Sequence, residues 1–171
     1  GHPLSATMPP TESRDVRSAR ANDRPALQRM LELYQYELSD IWDQNLDANG
    51  EYGYALDRFW SGDGCRAFVA TVSGHYAGFA LADGAVKIGT IGHWMDQFFV
   101  LKKYRRSGLG AALARHVFVA LPGRWETGQM PGNLSAQAFW RHVIAQHTKG
   151  AYTEHALTSG GWQGVVQSFV A

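Results

Sequence analysis

The sequence has one cysteine, Cys65, so no disulfide can form within the chain, and a reducing compartment suits it. It also lacks an excess of charge of either sign, because 16 lysines and arginines oppose 15 aspartates and glutamates. This balance argues against a nucleic-acid partner bound through bulk charge. No apolar run approaches the roughly 18 residues that a membrane span needs, and the polar, proline-rich start does not resemble a signal peptide. We therefore expect a cytoplasmic protein with no membrane partner.

Two kinds of catalytic motif are also missing. The sequence contains no H-E-x-x-H zinc motif and no G-x-S-x-G nucleophile motif. Its seven histidines show no spacing typical of metal ligands. The sequence therefore predicts no metal site.

The length of 171 residues fits a single domain, which we place at residues 15–171. Residues 1–14 are expected to form a disordered tail, and residues 1–7, ahead of Met8, resemble a vector scar.

The hydrophobic pattern predicts alternating strands and helices. A short strand at 15–20 precedes a helix over 22–41, which has Asn22 or Asp23 as a cap and Pro25 in its first turn. Residues 65–84 read as a hairpin with a tight turn at Ser73-Gly74. The remaining predicted elements are a short helical piece near residue 57, strands at 93–101, 124–130, 151–158 and 164–170, and helices after 108 and over 131–148. This order is typical of an α/β domain with a mixed sheet.

The segment "FFVLKKYRRSGLG", residues 98–110, places a basic glycine loop between a predicted strand and a predicted helix. A nucleotide-hydrolysing P-loop would need lysine and serine or threonine after the last glycine, where Ala111 and Ala112 stand. A dinucleotide fingerprint would need a third glycine at Leu113. A third pattern is filled by Arg105, Gly108 and Gly110, and its glycines let backbone N–H groups approach a pyrophosphate. With the neighbouring cations, this loop suits coenzyme A.

Together with "NLSAQAFW", residues 133–140, this segment resembles the GNAT superfamily of acyl-CoA-dependent acyltransferases. The resemblance covers most of residues 15–170. It implies a GNAT fold, in which a central, mixed and mostly antiparallel sheet splays apart and is flanked by helices. It also implies acetyl-CoA as co-substrate and N-acetyl transfer to a small-molecule or peptide amine, and it allows a homodimer. Neither nucleic acid nor a metal is an implied partner.

The resemblance assigns cofactor-binding positions residue by residue. The strand would offer its backbone to the pantetheine arm, the loop would hold the pyrophosphate, and the later helix would contribute further contacts. These positions are Phe98, Phe99, Val100, Arg105, Arg106, Ser107, Gly108, Leu109, Gly110, Ala111, Asn133 and Trp140. For Asn133, a simple helix cap is the competing interpretation.

A base must accept a proton from the ammonium form of the acceptor. Asp96 is the first candidate, because unbroken strand alternation would place it on the face of Phe98 and Val100. Glu126 in the next strand is the second. Either side chain could instead be an exposed strand carboxylate.

One position departs from the family pattern. Where the family often has a tyrosine that protonates the leaving thiolate, this sequence has Trp140. Tyr152 or water could substitute. Otherwise the alternative function is a catalytically silent acyl-CoA-binding module. A third hypothesis, nucleic-acid binding through residues 102–106, would show steep salt dependence and indifference to coenzyme A.

The segment 40–64 is expected to form the wall on the acceptor side. It combines carboxylates with aromatic residues, which predicts a cationic acceptor with some apolar body. The carboxylates are Asp40, Asp43, Asp47, Glu51, Asp57 and Asp63, and the aromatic residues between them are Tyr52, Tyr54, Phe59 and Trp60. They are opposed by only two cations, Arg58 and, just beyond the segment, Arg66.

Overall fold

The structure, a computed structural model, describes residues 13–171. Residues 1–12, which hold most of the predicted tail, lie outside the described part. The chain forms β1 (Arg14–Ser18), α1 (Arg24–Leu38), α2 (Arg58–Ser61), β2 (Arg66–Val72), β3 (His75–Asp83), β4 (His93–Val100), α3 (Leu109–Ala120), β5 (Arg124–Gln129), α4 (Leu134–Thr148), β6 (Tyr152–Leu157) and β7 (Gly164–Val170). The predicted order of elements is confirmed. The first strand begins at Arg14, a residue that the sequence assigned to the tail.

The seven strands form one open sheet in the order β1-β2-β3-β4-β5-β7-β6. Every neighbouring pair is antiparallel except β4 and β5, which run parallel. These two strands pair only where His93 faces Trp125 and Trp94 faces Glu126. Beyond that point they separate, although β4 stays paired with β3 up to Val100. The predicted splayed, mostly antiparallel sheet is confirmed.

The sheet carries a separate hydrophobic core on each face. On one face, α3 and α4 cover the sheet through buried residues such as Leu113, Phe118 and Trp140. On the other face, α1 and the short α2 bury residues such as Leu31 and Phe59. The amphipathic pattern of each helix is therefore satisfied by the face of the sheet that it covers.

The hairpin turn lies where the sequence predicted it. Ser73 and Gly74 join β2 to β3 with φ values of 49° and 80°. Positive φ at both central residues matches the two-residue hairpin turn whose twist suits the flanking strands.

The start of α1 differs from the prediction in one respect. Asp23 occupies the cap position, but its side chain makes no capping hydrogen bond to the helix. Its buried carboxylate instead accepts hydrogen bonds from Arg17, from the hydroxyl of Tyr76 and from the backbone N–H of Arg20. Asp23 thus joins β1, β3 and the entry to α1.

Within residues 13–171, no helix combines the length and the apolar composition that crossing a membrane requires.

Candidate active site

The separation of β4 from β5 creates a gap between residues 95–100 of β4 and residues 127–129 of β5, here called the wedge. The edge of β4 that faces β5 has no strand partner along the wedge, so its backbone groups are open to a ligand in strand-like contact. Three of the predicted cofactor positions, Phe98, Phe99 and Val100, lie on this part of β4. That their backbone binds a cofactor stays a prediction.

The side chains of these three residues serve the two cores. Phe98 packs against Phe139 and Trp140, with ring centroids 5.5 and 4.7 Å away. Phe99 points to the opposite face, where its ring lies 5.4 Å from that of Tyr34. Val100 returns to the core under α3. Any contact with a cofactor would therefore use the backbone of these residues.

The loop after β4 ends in two left-handed residues that shape the start of α3. Arg106 has φ 59° and Gly108 has φ 83°, a conformation that glycine adopts without steric cost. Within residues 13–171, the backbone N–H groups of residues 106–111 donate no hydrogen bond. They form a continuous row of donors at the positive end of a helix, which is the arrangement that binds phosphate groups.

Neighbouring elements hold this loop in place. Arg14, at the start of β1, donates to the carbonyl oxygen of Ser107 at 2.6 Å. The hydroxyl of Ser107 donates to the carbonyl oxygen of Tyr104 at 2.5 Å. These two hydrogen bonds tie the loop to β1 and to its own preceding turn.

Arg105 is placed differently from its expected role in cofactor binding. Its guanidinium forms a bidentate ion pair with Glu37 of α1, with both N–O distances 2.7 Å. Its Nε donates to the carbonyl oxygen of Val100, also at 2.7 Å. Arg105 therefore connects α1 to the end of β4, and its charge is already paired.

The first turn of α3 packs closely against α4. Leu109 is fully buried in the core. A Cβ atom at Gly110 would lie 3.1 Å from the ring of Phe139, tighter than most such contacts. Gly110 is thus needed for close helix approach as well as for an accessible N–H group. Ala111 lies against the same core.

Two predicted positions on α4 have structural roles. The side chain of Asn133 accepts a hydrogen bond from the N–H of Ala136 at 3.4 Å, so Asn133 is the helix cap. Trp140 is only 5% exposed and lies within the aromatic core beside Phe118 and Phe139. Its ring is enclosed by this core.

Asp96 lies at a β-bulge in β4, which the sequence did not reveal. Met95 faces Ala82 and Gln97 faces Leu81, so Asp96 is an extra residue between two cross-strand pairs. The expectation that Asp96 shares a face with Phe98 and Val100 is wrong, because the bulge breaks the alternation. Its side chain reaches the opposite face, which α1 and α2 cover.

On that face, Asp96 belongs to a cluster of charged and phenolic groups. Its Oδ2 accepts hydrogen bonds from the hydroxyl of Tyr54 and, at 2.8 Å, from Arg58. Arg58 also donates to Tyr54 at 3.0 Å and to the buried carboxylate of Asp83 at 2.7 Å. One arginine thus bridges two carboxylates of adjacent strands.

Burial is the main cause of the pKa shifts of Asp96 and Tyr54 in this cluster. It raises the pKa of Asp96 above its ordinary value, although the hydrogen bond from Tyr54 and the charges of Arg58 and Lys87 act in the other direction. Burial, together with the charge of Asp96, raises the pKa of Tyr54 to about 12. Asp96 is therefore a carboxylate with increased proton affinity on the face of the sheet that α1 and α2 cover.

Glu126 is enclosed and is only 3% exposed. Its two oxygens accept hydrogen bonds from the backbone N–H groups of Lys87, Ile88 and Gly89. The structure does not bring it to Asp96. Tyr152 lies at the end of the sheet where β4 and β5 are still paired, away from the wedge. It faces Phe169, which in turn faces Trp125, and Trp125 pairs with β4.

The wall segment 40–64 contributes two residues to the Asp96 cluster, Tyr54 and Arg58. Two of its carboxylates are used elsewhere: Asp47 accepts hydrogen bonds from N–H groups within its own turn, and Asp57 pairs with Arg24. Local charge counting identified Arg58 as a cation of the segment but could not have predicted its partners Asp83 and Asp96, which lie 25 and 38 residues away.

Within the described part of the chain, no group of three or more histidine, cysteine, aspartate or glutamate side chains is arranged to hold a metal ion.

The acetyltransferase (GNAT) family model matches residues 27–143. No curated protein matches the chain. Among solved structures, an acetyltransferase from Thermus thermophilus is 18% identical, with a TM-score of 0.65 over 93% of this chain and 97% of that one. The ribosomal-protein-S18-alanine N-acetyltransferase from Escherichia coli is 17% identical, with a TM-score of 0.59 over 92% and 94%. FeeM, an N-acyl amino acid synthase from uncultured soil microbes, is 12% identical, with a TM-score of 0.60 over 94% and 92%. At these identities the structural similarity concerns the fold alone.

Proposed function

We propose, because this chain belongs to the acetyltransferase (GNAT) family, that it transfers an acetyl group from acetyl-CoA to a primary amine. The observation that carries the proposal is a single arrangement. A row of free N–H groups lies at one end of the wedge, and Asp96 lies on the strand that lines it. This arrangement suits an acyl-CoA whose phosphates are held by the row of N–H groups and whose thioester lies near Asp96 as the base.

Coenzyme A would bind through backbone groups. The N–H groups of residues 106–111 would hold the pyrophosphate, and Arg106, together with the exposed Lys102 and Lys103, would supply charge for the remaining phosphate. The pantetheine arm would follow the free edge of β4 into the wedge. Arg105 would act indirectly, by fixing the loop against Glu37.

The chemistry is attack of a neutral amine on the thioester carbonyl. The new C–N bond forms as the C–S bond breaks, the coenzyme leaves as a thiolate, and the proton that the new amide nitrogen loses passes to water. Most of the acceleration comes from holding the reactants together, with a backbone N–H near Val100 stabilising the developing oxyanion. Asp96 would accept the proton of the acceptor ammonium, directly or through water. Its burial favours this role, since a carboxylate of ordinary pKa is a weak base.

Departure of the coenzyme thiolate does not require a general acid at position 140. The indole of Trp140 could not serve as one. A thiol of pKa near 8.5 departs tolerably as the anion. The buried Trp140 is nevertheless the observation that favours the second candidate, a catalytically silent acyl-CoA-binding module. Both candidate proteins would bind coenzyme A, but only the acetyltransferase would consume acetyl-CoA in the presence of an amine.

The acceptor is proposed to be an amine whose charged head reaches the Asp96 cluster. The cationic acceptor inferred from segment 40–64 rests on carboxylates that are exposed, such as Asp40 and Asp43. Arg58 and Lys87 lie nearer to Asp96 and oppose a highly charged polycation. An acceptor with one ammonium and an uncharged body is therefore favoured over a polyamine.

A turnover screen tests the proposal. Release of free coenzyme A thiol from acetyl-CoA would be followed with amines, amino acids, peptide N-termini and aminoglycosides. We expect at least one primary amine to stimulate release above the rate without acceptor. Coenzyme A binding without stimulation by any amine would favour the silent module instead.

A further inference from the structure

Glu126 is a buried carboxylate whose oxygens are both occupied. Oε1 accepts from the N–H groups of Lys87 at 2.6 Å and Ile88 at 3.0 Å. Oε2 accepts from Ile88 at 3.1 Å and Gly89 at 2.7 Å. The side chain is enclosed and 3% exposed, so no acceptor amine can reach it.

These bonds fix residues 84–92, here called the β3–β4 loop. At the start of this loop the carboxylate of Asp83 accepts from the N–H of Ala85 at 2.9 Å. In its middle, Glu126 comes so close that a Cβ atom at Gly89 would lie 3.4 Å from Oε2. The loop is therefore tied to β3 at one point and to β5 at another.

The fixed loop carries Lys87 to the acceptor face of the sheet. Its Nζ lies 4.0 Å from the ring centroid of Trp94 and donates to the carbonyl oxygen of Ala85. Trp94 is the last residue of β4 that pairs with β5, directly opposite Glu126. Lys87 thus stands where the wedge begins, near Asp96.

We propose that Glu126 is a positioning residue that clamps the β3–β4 loop and thereby holds Lys87 over Trp94 on the acceptor side of the wedge. The proposal rests on the proposed acetyl transfer for its effect on catalysis, although the clamp itself does not. Glu126 acts on the acceptor through Lys87 and does not take the proton.

The groups that face Asp96 define the pH readout. They are Tyr34 from α1, Tyr54 and Arg58 from the segment before β2, Asp83 from β3 and Lys87 from the loop. Among these, Lys87 is the cation that the clamp positions. Its withdrawal would raise the pKa of Asp96, so the acidic limb of kcat/KM for the acceptor would move to higher pH.

Hydrogen exchange tests the clamp without any need for turnover. In Glu126→Gln, one oxygen becomes an NH₂ group that cannot accept, so the amides of residues 87–89 should exchange faster while the core strands keep their protection. Glu154→Gln, on β6 and two strands away from β5, removes a partly exposed ion pair with Arg141 and is the control. Parent-like exchange at 87–89 in Glu126→Gln would overturn the clamp.

Steady-state kinetics test the effect on the acceptor. We expect Glu126→Gln to lower the acceptor KM about threefold, because the withdrawn Lys87 no longer repels the acceptor ammonium, with the KM for acetyl-CoA unchanged. Its acidic limb should move to higher pH, as should that of Lys87→Met, and the double variant should shift no further than Lys87→Met alone. Additive shifts, or loss of kcat with an unmoved acceptor KM, would contradict action through Lys87.

Lys87→Met also covers the case in which Glu126→Gln fails to fold. Lys87→Met leaves Glu126 and its hydrogen bonds in place. It should therefore shift the acidic limb of the pH profile while the amides of residues 87–89 exchange at the parent rate. A parent-like limb in Lys87→Met would overturn the proposal.

Discussion

Replacement of Gly110 by valine would test the cofactor loop where its geometry is tightest. A Cβ atom at this position would lie 3.1 and 3.3 Å from two atoms of the Phe139 ring and 3.7 Å from a methyl group of Val100. The Phe139 ring is held in turn by Phe98 and Trp140, at centroid distances of 5.5 and 5.0 Å. Relief of the contact would therefore displace the first turn of α3, whose N–H groups are proposed to hold the pyrophosphate.

Two opposing terms set the size of the effect on stability. Overpacking of a tight core typically costs about 1–3 kcal/mol. Replacing glycine in a helix by a residue of higher propensity recovers about 0.4 kcal/mol. The variant should thus lose about 1–2 kcal/mol of unfolding free energy and remain folded. Displacement of the donors should weaken coenzyme A binding at least tenfold, or about 1.4 kcal/mol.

Calorimetric titration with coenzyme A measures this loss, and urea unfolding verifies that Gly110→Val is cooperative. Ala120→Val, at the exposed end of the same helix, is the control and should bind as the parent does. A folded Gly110→Val with parent affinity would refute the assignment of these N–H groups to the pyrophosphate.

Three further predictions concern other parts of the molecule. Asp96→Asn should lower the rate at neutral pH about 10²-fold or more and partly recover at high pH, where the amine is already neutral; an unchanged pH–rate profile would exclude Asp96 as the base. Hydrogen bonds from Arg17 hold the pKa of Asp23 below its ordinary value, so its contribution to stability is present above the unfolded pKa of about 3.9 and is lost as the pH falls below it. Urea unfolding across this range should therefore show a weaker pH dependence in Asp23→Asn, and an identical slope would contradict the ion pair. A Cβ atom at Gly128 would collide with the rings of Trp94 and Trp162, so Gly128→Ala should destabilise the fold by about 1–3 kcal/mol and change tryptophan fluorescence, whereas Gly132→Ala, with ordinary contacts, should change neither.

Local patterns were sufficient to predict the elements of this fold. The turn at Ser73-Gly74 was predictable because a Ser-Gly pair separates two strand-like apolar runs. The positive φ values of both residues match the two-residue hairpin turn. The loop between β4 and α3 was predictable because Gly108 and the basic residues are contiguous in sequence between two apolar patterns, whereas its role in cofactor binding stays a prediction. Helices α1, α3 and α4 followed from their apolar spacing, although α1 ends at Leu38, three residues before the predicted end.

The candidate site depends on interactions that sequence spacing does not encode. A β-bulge changes the face of Asp96 through one extra residue, and strict alternation offers no sign of it. Arg105 was assigned to cofactor binding from its sequence neighbours, and its ion pair with Glu37, 68 positions away, was not predictable from them. From the sequence alone, Glu126 is a strand carboxylate that is equally compatible with a role as a base and with a role as an acceptor of loop N–H groups. Only the position of residues 87–89 distinguishes the two.

The central claim, acetyl transfer from acetyl-CoA to a primary amine with Asp96 as base, is tested most directly by product stoichiometry. The parent protein and Asp96→Asn would be incubated side by side with acetyl-CoA and the best amine of the screen. Released thiol and acetylated amine would be quantified together. We expect equimolar thiol and N-acetylated product from the parent, and at neutral pH a much slower appearance of both from the variant. Thiol release without acetylated amine, or equal product formation by parent and variant, would contradict it.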